Sequence, residues 1–180
     1  MNVCVFCGSA AGHNPVFEKA AKELGFLLGS SHHTLVYGGG NIGLMGIVAD
    51  SVLQTGGKVI GVIPDFLVRL EVAHTGLTEL ITLDSMHERK KKMADISQAF
   101  IAMAGGWGTL DELAEILTWR QLQLIDQPIG ILNTNNFFAP LLQSMQTMVN
   151  EGFLKQDNFS LLHVEESPKN LLTRLGVEIS

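Results

Sequence analysis

The chain has 180 residues, of which 46% are hydrophobic and 17% charged, and its net charge is −6 at pH 7. This length predicts one domain over residues 1–180, and the hydrophobic content excludes a disordered chain. The acidic balance argues against a nucleic-acid binder, which gains affinity by neutralising phosphates. No apolar run approaches the roughly 20 residues that span a bilayer, the N-terminus lacks the features of a signal peptide, and two cysteines form no disulfide framework, so we expect a cytoplasmic protein without a membrane partner.

Short apolar runs alternate with longer helical patterns along the chain. The runs cover residues 3–6, 34–37, 59–63, 80–83, 100–103 and 129–132, and their continuous apolar character predicts parallel strands buried on both faces. The first helix is predicted to begin at Asn14 and Pro15. Further helices are predicted over residues 43–55, 85–99, 109–122, 140–151 and 167–175. This order predicts an α/β fold, a Rossmann-like doubly wound parallel sheet in a single three-layer α/β/α domain.

Cys4 and Cys7 form a C-x-x-C pattern at the first predicted strand. A redox pair is typical of a helix N-terminus, whereas residues three apart on a strand point to opposite faces of the sheet. We therefore expect no redox chemistry. We expect no metal site either, because no second cysteine or histidine pair lies at zinc-ligand spacing.

Three glycine-rich turns follow predicted strands, at residues 8–12, 38–46 and 104–112. Each turn leads into a helix, whose unpaired N–H groups and positive dipole end suit a phosphate. For one such turn, tight packing is the better explanation. Three turns at one edge of the sheet favour a nucleotide or phosphate ligand, with candidate contacts at Ser9, Gly39, Gly40 and Gly105.

The second turn also matches G-x-G-x-x-G through Gly38, Gly40 and Gly43, which raises the alternative of a dinucleotide. That pattern requires an acidic residue about 20 positions later, at the end of the next strand. The nearest candidate, Asp65, comes late, after Pro64. No lysine followed by serine or threonine closes any of the turns, so the sequence does not predict a P-loop.

A basic segment at residues 86–93 holds four of the twelve Lys and Arg residues of the chain. Cations in the first turns of a helix oppose its dipole, so an anionic ligand near Arg89 is one hypothesis and a solvated helix face is the other. Glu112 also has two interpretations: it completes a capping box that begins at Thr109, or it lies near the sugar of a bound nucleotide. Trp107 is predicted at an exposed loop tip, with a stacking, lid or packing role.

Several of these segments together resemble one family. Residues 104–112 are similar to P-G-G-x-G-T-x-x-E, the signature of the LOG family of cytokinin riboside 5′-monophosphate phosphoribohydrolases, and residues 86–90 resemble that family's M-H-x-R-K. Residues 7–9, 36–40, 43–46 and 118–119 match in the same order, and the resemblance extends to about Phe153. It implies a homodimer that hydrolyses the N-glycosidic bond of purine nucleoside 5′-monophosphates, of cytokinin type or adenine, without a cofactor.

By position, the resemblance implies that Arg89 and Glu112 are catalytic. Glu112 would stabilise the positive charge that develops on the sugar, and Arg89 the negative charge on the departing base. The substrate contacts implied in the same way are Glu71, Lys90, Gly106, Trp107, Gly108, Thr109, Leu110, Asp111 and Thr118.

The chain departs from the family pattern at Ala10, Gln98, Ala104 and Asp111, and these departures bear on substrate preference rather than on activity. Members of the family also carry the label lysine decarboxylase, but nothing in the sequence supports a pyridoxal-phosphate enzyme. The alternative function is a purine-nucleotide-binding or sensing module without turnover. That module would bind AMP tightly and release no base.

Overall fold

The computed structural model describes residues 1–68 and 73–179. Within them lies a seven-stranded sheet in the order β4-β3-β2-β1-β5-β6-β7, in which every neighbouring pair is parallel. The strands are β1 (Asn2–Phe6), β2 (Thr34–Tyr37), β3 (Lys58–Pro64), β4 (Glu79–Leu83), β5 (Ala99–Ala102), β6 (Ile129–Leu132) and β7 (Leu162–Glu165). The strand order reverses between β1 and β5, which makes this pair the topological switch point, where such sheets bind ligands.

The connections between the strands are helical. They contain α1 (Val16–Ser30), α2 (Gly43–Gln54), α3 (Asp65–Val68), α4 (Met86–Asp95), α5 (Trp107–Gln121), α6 (Ala139–Asn150), α7 (Gln156–Phe159) and α8 (Pro168–Arg174), together with a 3₁₀ turn at Thr134–Asn136. In the part of the chain that the structure describes, no helix has the length and apolar character needed to cross a membrane.

The sheet separates two hydrophobic cores. Helices α1, α2 and α8 pack on one face, against Val3, Val5 and Cys7. Helices α4, α5 and α6 cover the other face, against Cys4 and Phe6. The predicted doubly wound α/β/α layering is therefore confirmed.

The two cysteines lie in different cores, as the strand argument predicted. Cys4 packs towards α4 and α5, whereas Cys7 packs towards α1 and α2. Both thiols are free and buried, and burial raises the pKa of each well above its ordinary value. Two inert thiols on opposite faces of a sheet do not form a redox pair.

Strand β7 was not predicted from the sequence. Its residues Leu-His-Val-Glu alternate between apolar and polar, and only Leu162 is buried. β7 lies at the edge of the sheet, where one side of a strand has no neighbouring strand. A rule that searches for continuous apolar runs misses this alternating strand, although it found β4 at the opposite edge, where the sequence is mostly apolar but no residue is buried.

Candidate active site

A cavity of about 310 Å³ opens at the carboxyl ends of β1, β2 and β5, beside the topological switch point. All three glycine-rich turns contribute to its wall. The lining residues are Val5, Cys7, Gly8, Ser9, Gly38, Met45, Leu67, Met86, Arg89, Gly106, Trp107, Gly108, Thr109 and Glu112. Its volume is at the lower end of the range of small-molecule sites, about 300–1,000 Å³.

The first turn joins the N-terminus of α2 to the third turn. The carbonyl of Gly8 accepts the N–H groups of Leu44 and Met45 at 3.1 and 3.3 Å, and the N–H of Gly8 donates to the carbonyl of Ala104 at 3.0 Å. Leu44 and Met45 belong to the first turn of α2. Since Gly8 already satisfies these donors, the N-terminus of α2 is not an open anion site.

The second turn makes room for a side chain and holds a neighbouring segment. A Cβ at Gly38 would overlap the guanidinium of Arg89. The carbonyl of Gly39 accepts the N–H of His74 at 3.1 Å, and Gly40 forms an isolated antiparallel bridge with Ala73. Gly39 and Gly40, predicted as ligand contacts, therefore bind the connection between β3 and β4 and do not line the cavity.

The third turn is open. Helix α5 begins after Gly106 without a side-chain cap, and the N–H groups of Trp107, Gly108 and Thr109 have no acceptor among the described residues. A Cβ at Gly106 or Gly108 would meet nothing within 4 Å. Packing therefore does not require glycine at these two positions, and the open space lies directly at the positive end of the helix dipole.

Gly105 differs from its neighbours in the same turn, because a Cβ there would collide with the side chain of Thr109 and crowd the N–H of Gly8. Gly105 itself does not line the cavity. It is thus a packing glycine beside the two open ones.

The prediction of a capping box at Thr109 is wrong. Helix α5 begins at Trp107, two residues before the predicted cap, so Thr109 lies within the first helical turn with its side chain buried. Glu112 is therefore in the second turn, too far along the helix to reach the cap N–H. Its carboxylate lines the cavity instead.

Arg89 and Glu112 form a buried ion pair in the wall of this cavity. Nη2 of Arg89 lies 2.9 Å from Oε1 of Glu112, and the two residues are only 9% and 8% exposed. Nε of Arg89 donates to the carbonyl of Val62 at 3.1 Å, which fixes the guanidinium. The N–H groups of the Arg89 guanidinium are not directed at Glu112, so the buried Oε1 of Glu112 accepts no hydrogen bond although the two charges are close.

The environment of Glu112 favours its protonated form. Burial raises the pKa of Glu112 to about 7, although the positive charge of Arg89 acts in the opposite direction. A carboxyl group with this pKa exchanges its proton near neutral pH, which is the property required of a general acid or base.

Three of the four cations in the basic segment, Arg89, Lys90 and Lys91, are paired with carboxylates of this chain. Lys90 lies between Asp111 and Glu115 of α5, and Lys91 pairs with Asp95 of its own helix. The expected conflict between cations and the dipole of α4 is therefore offset in part by carboxylates of this chain.

Four more of the predicted contacts that the structure describes lie away from this cavity. Lys90 and Thr118 are not among its lining residues, and Thr118 is exposed and donates to the carbonyl of Ala114 at 2.8 Å. Leu110 is half-buried against the core beneath α5, and Asp111 is exposed. Glu71 lies outside the described residues, so its role stays a prediction.

Several lining residues were not among the predicted contacts: Val5, Cys7, Gly8, Gly38, Met45, Leu67 and Met86. Most of them lie in or beside the motifs that carried the family resemblance. Leu67 belongs to α3, a short helix without a pattern in the sequence. No sequence feature could have placed it at the cavity, because its position depends on the path of the chain between β3 and β4.

Comparison with known proteins assigns the family. A family model described as "possible lysine decarboxylase" matches residues 45–175. The chain is 43% identical over 173 residues to a probable cytokinin riboside 5′-monophosphate phosphoribohydrolase of Oryza sativa subsp. japonica, covering 96% of this chain and 71% of the rice protein. It is also 43% identical over 173 residues to a cytokinin riboside 5′-monophosphate phosphoribohydrolase of Arabidopsis thaliana, and the match covers 96% of this chain and 81% of the Arabidopsis protein. The chain belongs to the LOG family.

Solved structures share the fold at lower identity. A molybdenum cofactor binding protein from Rippkaea orientalis superimposes with a TM-score of 0.74 at 22% identity, covering 97% of this chain and 94% of that chain. The molybdenum cofactor carrier protein from Chlamydomonas reinhardtii gives 0.71 at 21%, covering 98% of both chains. At these identities the likeness concerns the fold alone, and function has to be argued from the site.

Proposed function

We propose that this LOG family member hydrolyses the N-glycosidic bond of purine nucleoside 5′-monophosphates, of cytokinin type or adenine, to free base and ribose 5-phosphate. The relatives named above support the reaction class. The observation that carries the proposal is that one cavity contains both a buried Arg89–Glu112 ion pair and the uncapped N-terminus of α5. The ion pair is suited to cleavage of the glycosidic bond, and the helix N-terminus is suited to binding of a phosphate.

The 5′-phosphate binds at the third glycine turn in this proposal. The N–H groups of Trp107, Gly108 and Thr109 supply donors without acceptors, and the helix dipole favours the negative charge. The open space beside Gly106 and Gly108 lets the phosphate approach the backbone closely. Ser9 on the cavity wall adds a hydroxyl donor.

Arg89 and Glu112 carry the chemistry. Cleavage of the bond between ribose and base leaves positive charge on the sugar, which the carboxylate of Glu112 stabilises. With its pKa near 7, Glu112 also accepts the proton of the water that attacks the anomeric carbon. The bonding electrons leave with the base, and the guanidinium of Arg89 stabilises the negative charge that develops there. The base then takes up the proton that Glu112 accepted from the water, which yields the free base and restores the carboxylate.

The cavity does not fit the chemistry of a pyridoxal-phosphate decarboxylase. Such enzymes bind the cofactor through a Schiff base with a lysine. Among the described residues, no lysine lines the cavity, and Lys90, which follows Arg89 in the basic segment, is held by two carboxylates. The description attached to the family model therefore does not transfer to this chain.

The test is chromatographic detection of free base after incubation with AMP and with isopentenyladenosine 5′-monophosphate. We expect release of base by the native protein and by Glu151→Gln, a control on an exposed glutamate, and none by Glu112→Gln. Circular dichroism confirms that each variant is folded. If AMP binds by calorimetry but neither nucleotide releases base, the protein is a nucleotide-binding module and the proposal is wrong.

We also infer that the protein works as a homodimer, as the family resemblance implies. Leu122 and Leu124, at the end of α5, are 59% and 67% exposed, and large apolar side chains grouped at a surface are typical of an interface. Light scattering after gel filtration should give the mass of two chains. A Leu122→Glu, Leu124→Glu double variant should give the mass of one, and a native mass of one chain would refute the inference.

A further inference from the structure

His74 is a buried histidine that the proposed reaction does not use. It lies in the connection between β3 and β4, is 8% exposed, and is not one of the described residues that line the cavity. Nδ1 of its ring accepts the N–H of Gly76 at 3.0 Å, and Nε2 lies 2.9 Å from Oδ1 of Asp50. Because Nδ1 accepts, the ring hydrogen is on Nε2, which donates to the carboxylate of Asp50. The side chain therefore joins this connection to α2, the helix that contains Asp50.

The backbone at His74 binds the second glycine-rich turn, which precedes α2. Its N–H donates to the carbonyl of Gly39 at 3.1 Å, and Ala73 forms the antiparallel bridge with Gly40. The turn and the helix that follows it are thus tied to one residue, the turn through the backbone and the helix through the side chain. His74 closes a ring of contacts that runs from the turn along α2 to Asp50 and back.

The second turn forms part of the wall against which the guanidinium of Arg89 lies. Gly38 lines the cavity, and a Cβ at this position would overlap Nη2 of Arg89. Nη2 is also the atom that lies 2.9 Å from Oε1 of Glu112. Since closely packed groups leave no free space between them, a displaced turn changes the position of the guanidinium relative to Glu112.

Tyr37 makes a further contact with the same turn. It is the last residue of β2, is fully buried, and donates its hydroxyl to the carbonyl of Gly40 at 3.1 Å. The adjacent carbonyls of Gly39 and Gly40 therefore have partners from two different elements, the connection between β3 and β4 and strand β2. Loss of either partner leaves a polar group of the turn without its hydrogen bond, which favours a shift of the turn.

We propose that His74 is a positioning residue for Arg89. Its hydrogen bond to Asp50 fixes the connection between β3 and β4 on α2, the backbone of this connection fixes the second turn, and the turn sets the position of the guanidinium beside Glu112. The proposal rests on the proposed function, in which Arg89 stabilises the charge on the departing base. His74 acts on the reaction through Arg89.

The experiment replaces His74 by two amides that each keep one of its hydrogen bonds. The amide nitrogen of glutamine takes the place of Nε2 and donates to Asp50, whereas the amide oxygen of asparagine takes the place of Nδ1 and accepts from Gly76. We expect kcat to fall at least about fivefold in His74→Asn and to stay within about twofold of native in His74→Gln, with KM changed less than about twofold in both. The opposite order, or equal kcat in the two variants, overturns the proposal.

Asp50 supplies the matching test at the other end of the hydrogen bond. Asp50→Ala removes the acceptor and should lower kcat as much as His74→Asn does. The two changes combined should be no worse than either alone, because both remove the same interaction. Asp157→Ala, at an exposed aspartate of α7, is the control and should keep the native kcat. Native kcat in Asp50→Ala, or effects that multiply in the double variant, would contradict the proposal.

A readout without turnover separates this proposal from the proposed function. Nε–H of Arg89 donates to the carbonyl of Val62 in the protein interior, so it is shielded from solvent and gives a nitrogen-15 NMR signal of its own, assigned by its absence in Arg89→Gln. The signal should shift or split in His74→Asn and Asp50→Ala and keep its native position in His74→Gln and Asp157→Ala. If the native protein releases no base, the proposed function fails while this signal still tests the role of His74. A native signal in His74→Asn refutes that role.

Tyr37→Phe tests whether the second turn is the route to Arg89. This variant removes only the hydroxyl that binds Gly40 and leaves His74 in place, so it should move the same Arg89 signal. An unchanged signal in Tyr37→Phe excludes the turn as the link between His74 and Arg89. The variant also serves if His74→Asn does not fold.

Discussion

Replacing Glu112 by glutamine removes a carboxyl group that is costly to ionise inside the protein. Burial raises the pKa of Glu112 from its ordinary value of 4.5 to about 7, against the opposing effect of Arg89. A group with a raised pKa binds its proton more tightly in the folded state than in the unfolded state. Its contribution to stability therefore falls as the pH rises from about 4.5 to 7 and stays at its lowest value above that range.

Glutamine is neutral at every pH and shows no such loss. The stability of Glu112→Gln relative to the native protein should therefore increase between pH 5 and pH 8 by on the order of 2–3 kcal/mol, at about 1.4 kcal/mol for each unit of pKa shift. For a chain of this size, the corresponding change in the difference between the two melting temperatures is roughly 5–10 °C. The unpaired guanidinium of Arg89 in the variant lowers its stability at both pH values and cancels in this comparison.

The assay is thermal unfolding followed by circular dichroism at several pH values. Glu151→Gln is the control, since it makes the same substitution at an exposed glutamate outside the cavity. The quantity to compare is the melting temperature of Glu112→Gln minus that of the native protein. If this difference stays constant or decreases from pH 5 to pH 8, the folded state does not raise the pKa of Glu112. That result would refute the assignment of Glu112 as a group that titrates near neutral pH.

Other predictions concern the glycines and the tryptophan of the cavity. In Gly38→Ala the added methyl group displaces the guanidinium of Arg89, so kcat should fall at least about tenfold with unchanged circular dichroism; native kcat would contradict the close approach. Gly108→Ala should raise the melting temperature by about 1–2 °C, because alanine is favoured over glycine in a helix, and weaken ribose 5-phosphate binding in calorimetry; native affinity would place the phosphate elsewhere. Trp107 is 88% exposed, so AMP should change the tryptophan fluorescence of the native protein but not of Trp107→Phe, in which Trp119 remains. A response that persists in the variant would exclude Trp107 as a ligand contact.

The sequence by itself was sufficient for the central architecture. Continuous apolar runs identified the six strands from β1 to β6. Five of these strands are largely buried, as expected for strands covered on both faces, whereas β4 lies at the edge of the sheet and has no buried residue. The alternation of strands with helical patterns then predicted a doubly wound parallel sheet. The motifs around Arg89 and Glu112 predicted the family, since they are local in sequence and each contains its residues at fixed spacing.

Only the tertiary structure distinguished the three glycine turns from one another. In the sequence all three look alike, yet Gly8 caps α2, Gly38 makes room for Arg89, and only Gly106 and Gly108 border open space at a helix N-terminus. These differences arise from partners that are distant in the chain, and the register of β1 with β2 and β5 brings those partners together.

The partners of the charged side chains at the site are also distant in the chain, so local sequence rules did not predict them. The capping box at Thr109 satisfied every local rule, but α5 begins at Trp107 and leaves Glu112 facing Arg89 of another helix. Likewise, the basic segment gave no indication that Lys90 is held by Asp111 and Glu115. A side chain's charge is set by its sequence, but its pKa and its partner depend on which helices the sheet places side by side.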